Sequence, residues 1–192
     1  MPSLSYTPSV AKKAKTPEYP TRDTVIELGK RLCAAADEYA DRKGYTEKHF
    51  ELALFCLLQD RKYSRVATQR KAKLKPKKGA KKPNQIDFEI GKTNRVALEF
   101  AVRRMVYVTK TKKWQAKGHT VSENRSELRK LTHEDVAKVR YLLIVDVSGQ
   151  PHVDLHKLKK DYQTYVASPS FKRKESVTVI YVHSVADTVI EC

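Results

Sequence analysis

The chain has 192 residues and a hydrophobic fraction of 40%, which is enough for one domain with a buried core. Its 39 Lys and Arg residues exceed its 22 Asp and Glu residues, which gives a formal net charge of +17 at pH 7. No apolar run is long enough to cross a membrane, so this charge favours nucleic acid over a membrane surface as the partner.

The cysteines point to a reducing environment. The number of cysteines is odd, and Cys33, Cys56 and Cys192 lack the spacing of metal ligands. No secretory signal is visible before the first predicted helix. We therefore expect free thiols and an intracellular protein, located in the cytoplasm or with the DNA of the nucleoid or nucleus.

The N-terminal part of the chain divides into an arm and two helices. Residues 1–20 contain four prolines and a lysine cluster, which predicts a flexible basic arm ahead of a single domain that spans residues 21–192. Apolar residues then recur at helical spacing over Thr21–Arg42 and again over Thr46–Arg61. The second helix carries two glutamates, at positions 47 and 51, on the flank of its apolar stripe.

The centre of the chain reads as a strand, a basic tract and a hairpin. The strand is predicted at Tyr63–Gln69, and residues 70–82 form the tract, in which like charges repel and resist packing. The hairpin consists of Gln85–Ile90 and Arg95–Val108, because polar and apolar residues alternate in both segments. Residues 91 and 94, Gly and Asn, supply the turn between them.

This hairpin would place two carboxylates on neighbouring strands. Ile86, Phe88 and Ile90 are predicted to point one way and Asp87 the other, while Glu99 lies on the polar face of the second strand. Two carboxylates held close together are unfavourable for folding but suit a divalent metal ion. Taken singly, each could also be a solvent-facing acid of an amphipathic hairpin.

The C-terminal half continues with alternating helices and strands. Thr120 and Glu123 have the spacing of a capping box and open a helix. Tyr141–Val147 is a nearly continuous apolar run, as expected for a strand that is covered on both faces. Asp154–Val166 then reads as a helix and Ser176–His183 as another buried strand. The order α-α-β-β-β-α-β-α-β favours a three-layer α/β domain with a mixed sheet.

Over roughly residues 46–147 the predicted elements are, in order, a helix with an acidic residue, a strand, an acidic hairpin, a helix and a buried strand. In this order and pattern the chain resembles the PD-(D/E)XK superfamily of restriction-endonuclease-like nucleases. The matching positions are Asp87 and Glu99 on the two hairpin strands and Glu51 in the preceding helix.

The resemblance implies a three-layer restriction-endonuclease-like fold, with a central mixed β-sheet flanked by helices. It also implies a DNA endonuclease that uses Mg²⁺ or Mn²⁺, with DNA favoured over RNA as the substrate. Asp87 and Glu99 would hold the metal ion, and Glu51 would be a third or an outer acid. Small nucleases of this type often work as homodimers or as subunits of a larger complex.

The chain departs from the superfamily pattern at one catalytic position. The motif places a lysine two residues after the glutamate, and Ala101 stands there. Three interpretations remain open: Arg103, on the same face of the strand, takes over the cationic role; Lys130 reaches in from the following helix; or the site is inactive and the protein only binds nucleic acid.

Basic segments on either side of the hairpin would clamp the phosphate backbone without reading bases. Trp114 could stack on a base or could simply anchor its loop. The candidate nucleic-acid-binding residues are Arg70, Lys71, Lys73, Lys75, Lys77, Lys78, Lys81, Lys82, Lys110, Lys112, Lys113, Trp114 and Lys117.

Two alternatives of a different class stand beside the nuclease. The first is a catalytically inactive protein of the same fold that binds DNA or RNA as a subunit or accessory factor. The second is a basic module of unrelated topology that associates with RNA or nucleoprotein. An intact acidic site that binds Mg²⁺ or Mn²⁺ would separate the nuclease from both.

Overall fold

The computed structural model describes residues 19–37, 46–63, 65–72, 84–93, 95–134, 136–168, 171 and 175–192. Within these ranges the protein is an α/β domain in which four helices flank a mixed seven-stranded sheet. Residues 1–18 of the predicted arm lie outside the described residues. The last two residues of that arm belong to the domain, because Tyr19 packs against the core and Pro20 is buried.

The helices and strands follow one another in the predicted order, with two additional strands. Their bounds are α1 (Arg22–Asp37), α2 (Glu47–Asp60), β1 (Val66–Lys71), β2 (Gln85–Ile90), β3 (Val96–Val108), β4 (Lys113–Lys117), α3 (Arg125–Thr132), β5 (Val139–Asp146), α4 (Leu155–Ala167), β6 (Thr178–His183) and β7 (Ala186–Glu191). The predicted end of the first helix, at residue 42, lies outside the described residues. Strands β4 and β7 were not predicted, and β1 extends two residues into the basic tract.

The sheet combines an antiparallel half with a parallel centre. Strands run in the order β1-β2-β3-β5-β6-β7, and β4 pairs with the outer end of β3. Pairs β1–β2, β2–β3, β3–β4 and β6–β7 are antiparallel, whereas β3–β5 and β5–β6 are parallel. Helices α3 and α4 provide the two crossovers that parallel neighbours require. Strand β5 is buried along almost its whole length, as its apolar run predicts.

Each face of the sheet carries its own hydrophobic cluster. Helices α1 and α2 cover one face, and every second residue in the first half of β3 packs there: Val96, Leu98, Phe100 and Val102. Helices α3 and α4 cover the other face, where Ala97 and Ala101 pack. This alternation is the one that the sequence predicts for β3.

Strand β2 does not keep its predicted alternation. Phe88 and Ile90 join the cluster beneath α1 and α2, but Ile86 joins the opposite cluster. The regular pairing of β2 is interrupted at Asp87, and Gln69 of the neighbouring strand has a φ angle of 55° at the same level. The prediction that the three apolar residues share a face is therefore wrong at Ile86, because the strand is distorted where the candidate site begins.

In the part of the chain that the structure describes, no helix combines the length and the hydrophobicity needed to span a bilayer.

Candidate active site

The candidate site lies where β2 and β3 separate. The last pair between these strands is Phe88 with Leu98, and the first pair between β3 and β4 is Arg104 with Lys117. In the described strands, residues 99–103 of β3 pair only with β5. A cleft of about 270 Å³ opens beside this stretch, between the N-terminal turns of α2 and α3. Its lining includes Glu47, Ala101, Arg104, Lys117, Glu123 and Glu127.

Asp87 and Glu99 lie next to each other where the two strands separate, as the sequence predicts, and Phe100 and Ala101, the residues that follow Glu99, line the cleft. Asp87 Oδ2 accepts a hydrogen bond of 2.9 Å from the backbone N–H of Phe100, which holds its carboxylate against β3. Glu99 is fully buried, and its Oε1 finds no hydrogen-bond partner among the described residues. The pair is therefore an acidic site in which this oxygen has no donor as long as Glu99 is ionised.

Burial raises the pKa of both carboxyl groups, and the neighbouring charge of Asp87 adds to the rise at Glu99. For Glu99 the pKa lies well above its ordinary value, first because of burial and then because of the charge of Asp87. Burial also raises the pKa of Asp87, although the N–H of Phe100 and the charge of Lys130 oppose this. The carboxyl groups of Asp87 and Glu99 can hydrogen-bond to each other only when one of them is protonated. Glu99 is the better candidate for the proton, because its pKa is raised well above the ordinary value.

Lys130 is the cation of the site. Its Nζ donates to Glu99 Oε2 at 2.6 Å and to the backbone oxygen of Gln85 at 2.8 Å. Only 13% of its side chain is exposed. Burial acts to lower the pKa of Lys130, but Glu99 and then Asp87 outweigh burial and raise it. Lys130 therefore stays charged beside Glu99.

Arg103 makes its contacts elsewhere. Its guanidinium pairs with Asp146 at the end of β5 and donates to the backbone oxygen of Pro151 at 3.1 Å. The hydroxyl groups of Tyr181 and Ser148 also donate to Asp146. Arg103 thus belongs to a buried polar cluster at the carboxyl ends of β5 and β6, and this cluster, rather than the two acids, satisfies its charge.

The acid that α2 contributes to the cleft is Glu47 rather than Glu51. Glu51 accepts a hydrogen bond of 2.9 Å from Gln69, on the flank of β1. Glu47 lines the cleft, and its pKa is raised to about 7, first by desolvation and then by the charges of Asp87 and Glu127. The residue as a whole is exposed at the rim of the cleft.

Two signals in the sequence could have identified these cleft acids. Glu47 is the first residue of α2, and the N-terminus of a helix attracts anions and is well placed to face a site. Glu127 precedes Lys130 by three residues on α3, a spacing that puts both side chains on one face of the helix.

The predicted nucleic-acid-binding residues fall into four groups. Arg70 pairs with Glu89 and Glu134, two buried acids, and only 22% of its side chain is exposed. Lys71 is exposed at the end of β1. The six tract lysines that follow, Lys73, Lys75, Lys77, Lys78, Lys81 and Lys82, lie outside the described residues. Lys110, Lys112, Lys113, Trp114 and Lys117 are exposed on the β3–β4 hairpin, and Lys117 also lines the cleft.

The donor set of the site is small. Among the described residues, no group of three or more His, Cys, Asp or Glu side chains is arranged to hold a metal ion. Mg²⁺ commonly takes one or two carboxylates and completes its shell with water and substrate phosphate, so Asp87 and Glu99 are a sufficient protein contribution. The unsatisfied Oε1 of Glu99 fits such a role, because a cation would neutralise it.

No protein-family model matches the chain, and no curated protein or solved structure matches it significantly.

Proposed function

We propose that the protein is a metal-dependent DNA endonuclease of the restriction-endonuclease-like fold. The observation that carries the proposal is the contact of 2.6 Å between Lys130 Nζ and Glu99 Oε2 beside Asp87. Two carboxylates and one lysine are the groups that the superfamily uses, and here the lysine comes from α3 instead of position 101. The order α2-β1-β2-β3-α3-β5, with an antiparallel hairpin followed by a parallel strand, also supports the proposal.

Asp87 and Glu99 would hold the Mg²⁺ or Mn²⁺ ion. A divalent cation supplies Lewis-acid activation of the phosphodiester and of the attacking water. Its arrival would displace the proton of Glu99, because metal ligands bind as carboxylates. The buried Oε1 that has no donor would then be satisfied.

Lys130, together with Glu47 and Lys117 of the cleft, would position the substrate and move protons. Lys130 is fixed by Glu99 and Gln85, so it presents a preorganised positive charge to the phosphate that reacts. Glu47, with a pKa of about 7, is protonated in a substantial fraction of molecules at neutral pH and suits acid–base catalysis. Lys117, on the opposite wall of the cleft, would hold the DNA backbone.

Substitution of the two acids tests the proposal. Asp87→Ala and Glu99→Ala should each abolish cleavage of plasmid and branched DNA with Mg²⁺ or Mn²⁺. DNA affinity should stay the same or rise, because neither change removes a positive charge that could contact a phosphate. The control is Glu27→Ala, which removes an exposed carboxylate on α1 that pairs with Arg61.

The outcomes separate the candidate functions. If either acid variant cuts at the wild-type rate, the site assignment is wrong. If the wild type binds DNA tightly and does not cut it with either metal, the inactive nuclease-fold protein becomes the better interpretation.

A further inference from the structure

Strand β3 continues beyond the sheet and forms a hairpin with β4. After Arg103, the last residue of β3 that pairs with β5, residues 104–108 pair only with residues 113–117. Tyr107 and Trp114 lie directly opposite each other in this ladder. Their ring centroids are 5.6 Å apart in a T-shaped arrangement. The hairpin therefore presents two aromatic side chains close to its turn.

This aromatic pair is unusually exposed for its size. Tyr107 is 48% exposed and Trp114 is 42% exposed. Large aromatic side chains are usually buried more deeply than this, and an exposed pair on a projecting element indicates a binding surface.

The charge around the pair indicates what it binds. Residues 104–117 contain five Lys and Arg residues and no Asp or Glu. Aromatic side chains within a cationic surface are the combination that proteins use for unpaired nucleic acid, since the rings stack on bases while the cations contact phosphates. In a duplex the faces of the bases are covered by their neighbours, so only unpaired bases or a duplex end can stack in this way.

The position of the pair along β3 sets its distance from the acids. Tyr107 follows Glu99 by eight residues, and because this number is even the two side chains lie on the same face of the strand. At about 3.3 Å per residue the two positions are about 26 Å apart. This distance corresponds to about 8 base pairs of B-DNA at a rise of 3.4 Å.

We propose that Tyr107 and Trp114 form a stacking platform for unpaired bases, so that the substrate is DNA in which a single-stranded segment adjoins a duplex. The stacking part concerns binding alone, whereas the cleavage of such junctions rests on the proposed nuclease function. The platform would hold the unpaired bases while the adjoining duplex passes the cleft.

The first experiment uses the fluorescence of Trp114, which is the only tryptophan of the chain. The full-length Asp87→Ala variant, kept free of metal, is titrated with a single strand of about 12 thymidines, within the site size of known stacking proteins, and with a long blunt duplex, whose two ends are a small share of its binding positions. Binding is followed in parallel by the anisotropy of a label on the DNA. The single strand should quench the tryptophan, and the duplex should bind without comparable quenching.

Variants of the hairpin separate stacking from attraction by charge. Tyr107→Ala and Trp114→Ala should each weaken single-strand binding about 5- to 150-fold, the range that loss of one base–aromatic stack corresponds to. Trp114→Phe should retain most of the affinity because it keeps an aromatic ring. Lys113→Ala is the matched control, and it should weaken binding of single strand and duplex by the same factor.

The results decide between two distinct failures. Equal quenching by single strand and duplex, or no quenching by the single strand, overturns the platform whether or not the protein cuts DNA. Quenching by the single strand without cleavage of any substrate by the wild type leaves the platform standing and contradicts only the nuclease. If the platform and the nuclease are both confirmed, DNA with a single-stranded overhang should be cut in its duplex at a fixed distance of about 8 base pairs from the junction. The Trp114→Ala variant should no longer cut at a fixed distance.

Discussion

At the scale of residues, Lys130 and Ala101 approach Glu99 from different elements. Ala101 lies two residues after Glu99 on the same face of β3, and Lys130 contacts Glu99 from α3. If Lys130 performs the task of the motif lysine, Lys130→Met should lower the cleavage rate by at least about 10²-fold, the usual cost of one lost electrostatic stabiliser. DNA affinity, measured separately by anisotropy, should change much less.

A rescue variant strengthens this comparison. Adding Ala101→Lys to Lys130→Met returns a cation to the motif position, and we expect part of the cleavage rate to return. Arg103→Ala should instead act on folding, because it leaves the buried Asp146 without its cation at a cost of about 3–5 kcal/mol. An Arg103→Ala protein that is stable but unable to cut would show that Arg103 is the catalytic cation.

The raised pKa of Glu99 predicts how stability depends on pH without metal. In the unfolded chain a glutamate titrates at about 4.3, whereas in the folded protein the pKa of Glu99 lies well above that value. The folded state then holds a proton that the unfolded state has lost, so stability falls as pH rises from the unfolded to the folded pKa. Glu99→Gln, which mimics the protonated form, should remove this part of the fall.

Urea denaturation of the metal-free wild type and of Glu99→Gln at pH 5 and pH 8 measures this effect. Mg²⁺ should reverse it in the wild type, because the ion competes with the proton and binds more tightly at higher pH. A difference in unfolding free energy between the two proteins that does not change with pH would show that Glu99 is ionised in both states.

Geometry at the residue scale was predictable where the pattern is regular. The alternation of β3 gives the face that carries Glu99, and the acidic hairpin brings Asp87 next to it, whereas the role of the two acids stays a prediction. The choice between Arg103 and Lys130 depends on Asp146, which lies 43 residues further along the chain and captures the arginine. Whether Glu47 or Glu51 lies at the cleft depends on the direction in which α2 approaches the sheet. Helical periodicity in the sequence does not predict that direction.

At the scale of elements, Gly118 fixes the return of β4 to β3. It has a φ of +108°, and a Cβ built on it would lie 2.0 Å from the backbone oxygen of Val102. Its N–H donates to Glu123 at 3.0 Å, and the same Oε2 accepts two further backbone N–H groups. These contacts join the end of β4 to the segment that leads into α3, so Gly118 helps to shape the cleft.

Gly118→Ala should therefore destabilise the protein strongly. The positive φ alone costs about 1–2 kcal/mol for a residue with a Cβ, and the backbone of β3 must also move away from the added carbon. Gly149→Ala is the control, because Gly149 has a φ of 68° but is exposed in the turn after β5. Chemical denaturation should show a clearly larger loss for Gly118→Ala, and equal losses would mean that β4 is not packed against Val102.

The two strands that the sequence did not predict have weak local signals. Strand β4, Lys113–Lys117, has three polar residues in five and reads as a basic loop, so its structure depends on the long β3 that it pairs with. Strand β7, Ala186–Glu191, is short, and Ile190 is its only buried residue. Its formation therefore depends on pairing with β6. Strand β5 was predictable because a strand buried on both faces must be apolar throughout.

At the scale of the whole molecule, the net charge of +17 predicts salt-dependent binding. A protein that neutralises 6–10 phosphates loses about 10³- to 10⁵-fold in affinity between 50 and 200 mM salt. Lys117→Ala should reduce the slope of log affinity against log salt concentration by about 1, as expected for one lost phosphate contact. Anisotropy titrations with a labelled DNA duplex at several salt concentrations give the slope.

Lys30→Ala is the control for this measurement. Lys30 pairs with Asp187 at 2.6 Å on the side of the sheet that α1 covers, so its removal should leave the slope unchanged. Binding that does not respond to salt would argue against a phosphate-contacting surface altogether.

The overall class of fold was predictable because the order of elements is regular and the central strands are strongly apolar. The mixture of antiparallel and parallel pairing in the sheet follows from that order, since hairpins join antiparallel strands and helices join parallel ones. The position of α1 was not predictable, because its apolar face predicts that another element covers the helix but not which one. The structure places it on β5 and β6, where the thiol of Cys33 donates to backbone oxygens of both strands.

The place of α1 has a consequence for biosynthesis. Cys33 and its acceptor Val182 are separated by 149 positions, so α1 leaves the ribosome well before the strand that it packs against. At about 5–20 residues per second, roughly 7–30 s pass between the two. During this interval the apolar face of α1 lacks its final partner. We therefore expect the nascent chain to recruit chaperones through α1, and α1 to dock only after β6 has emerged.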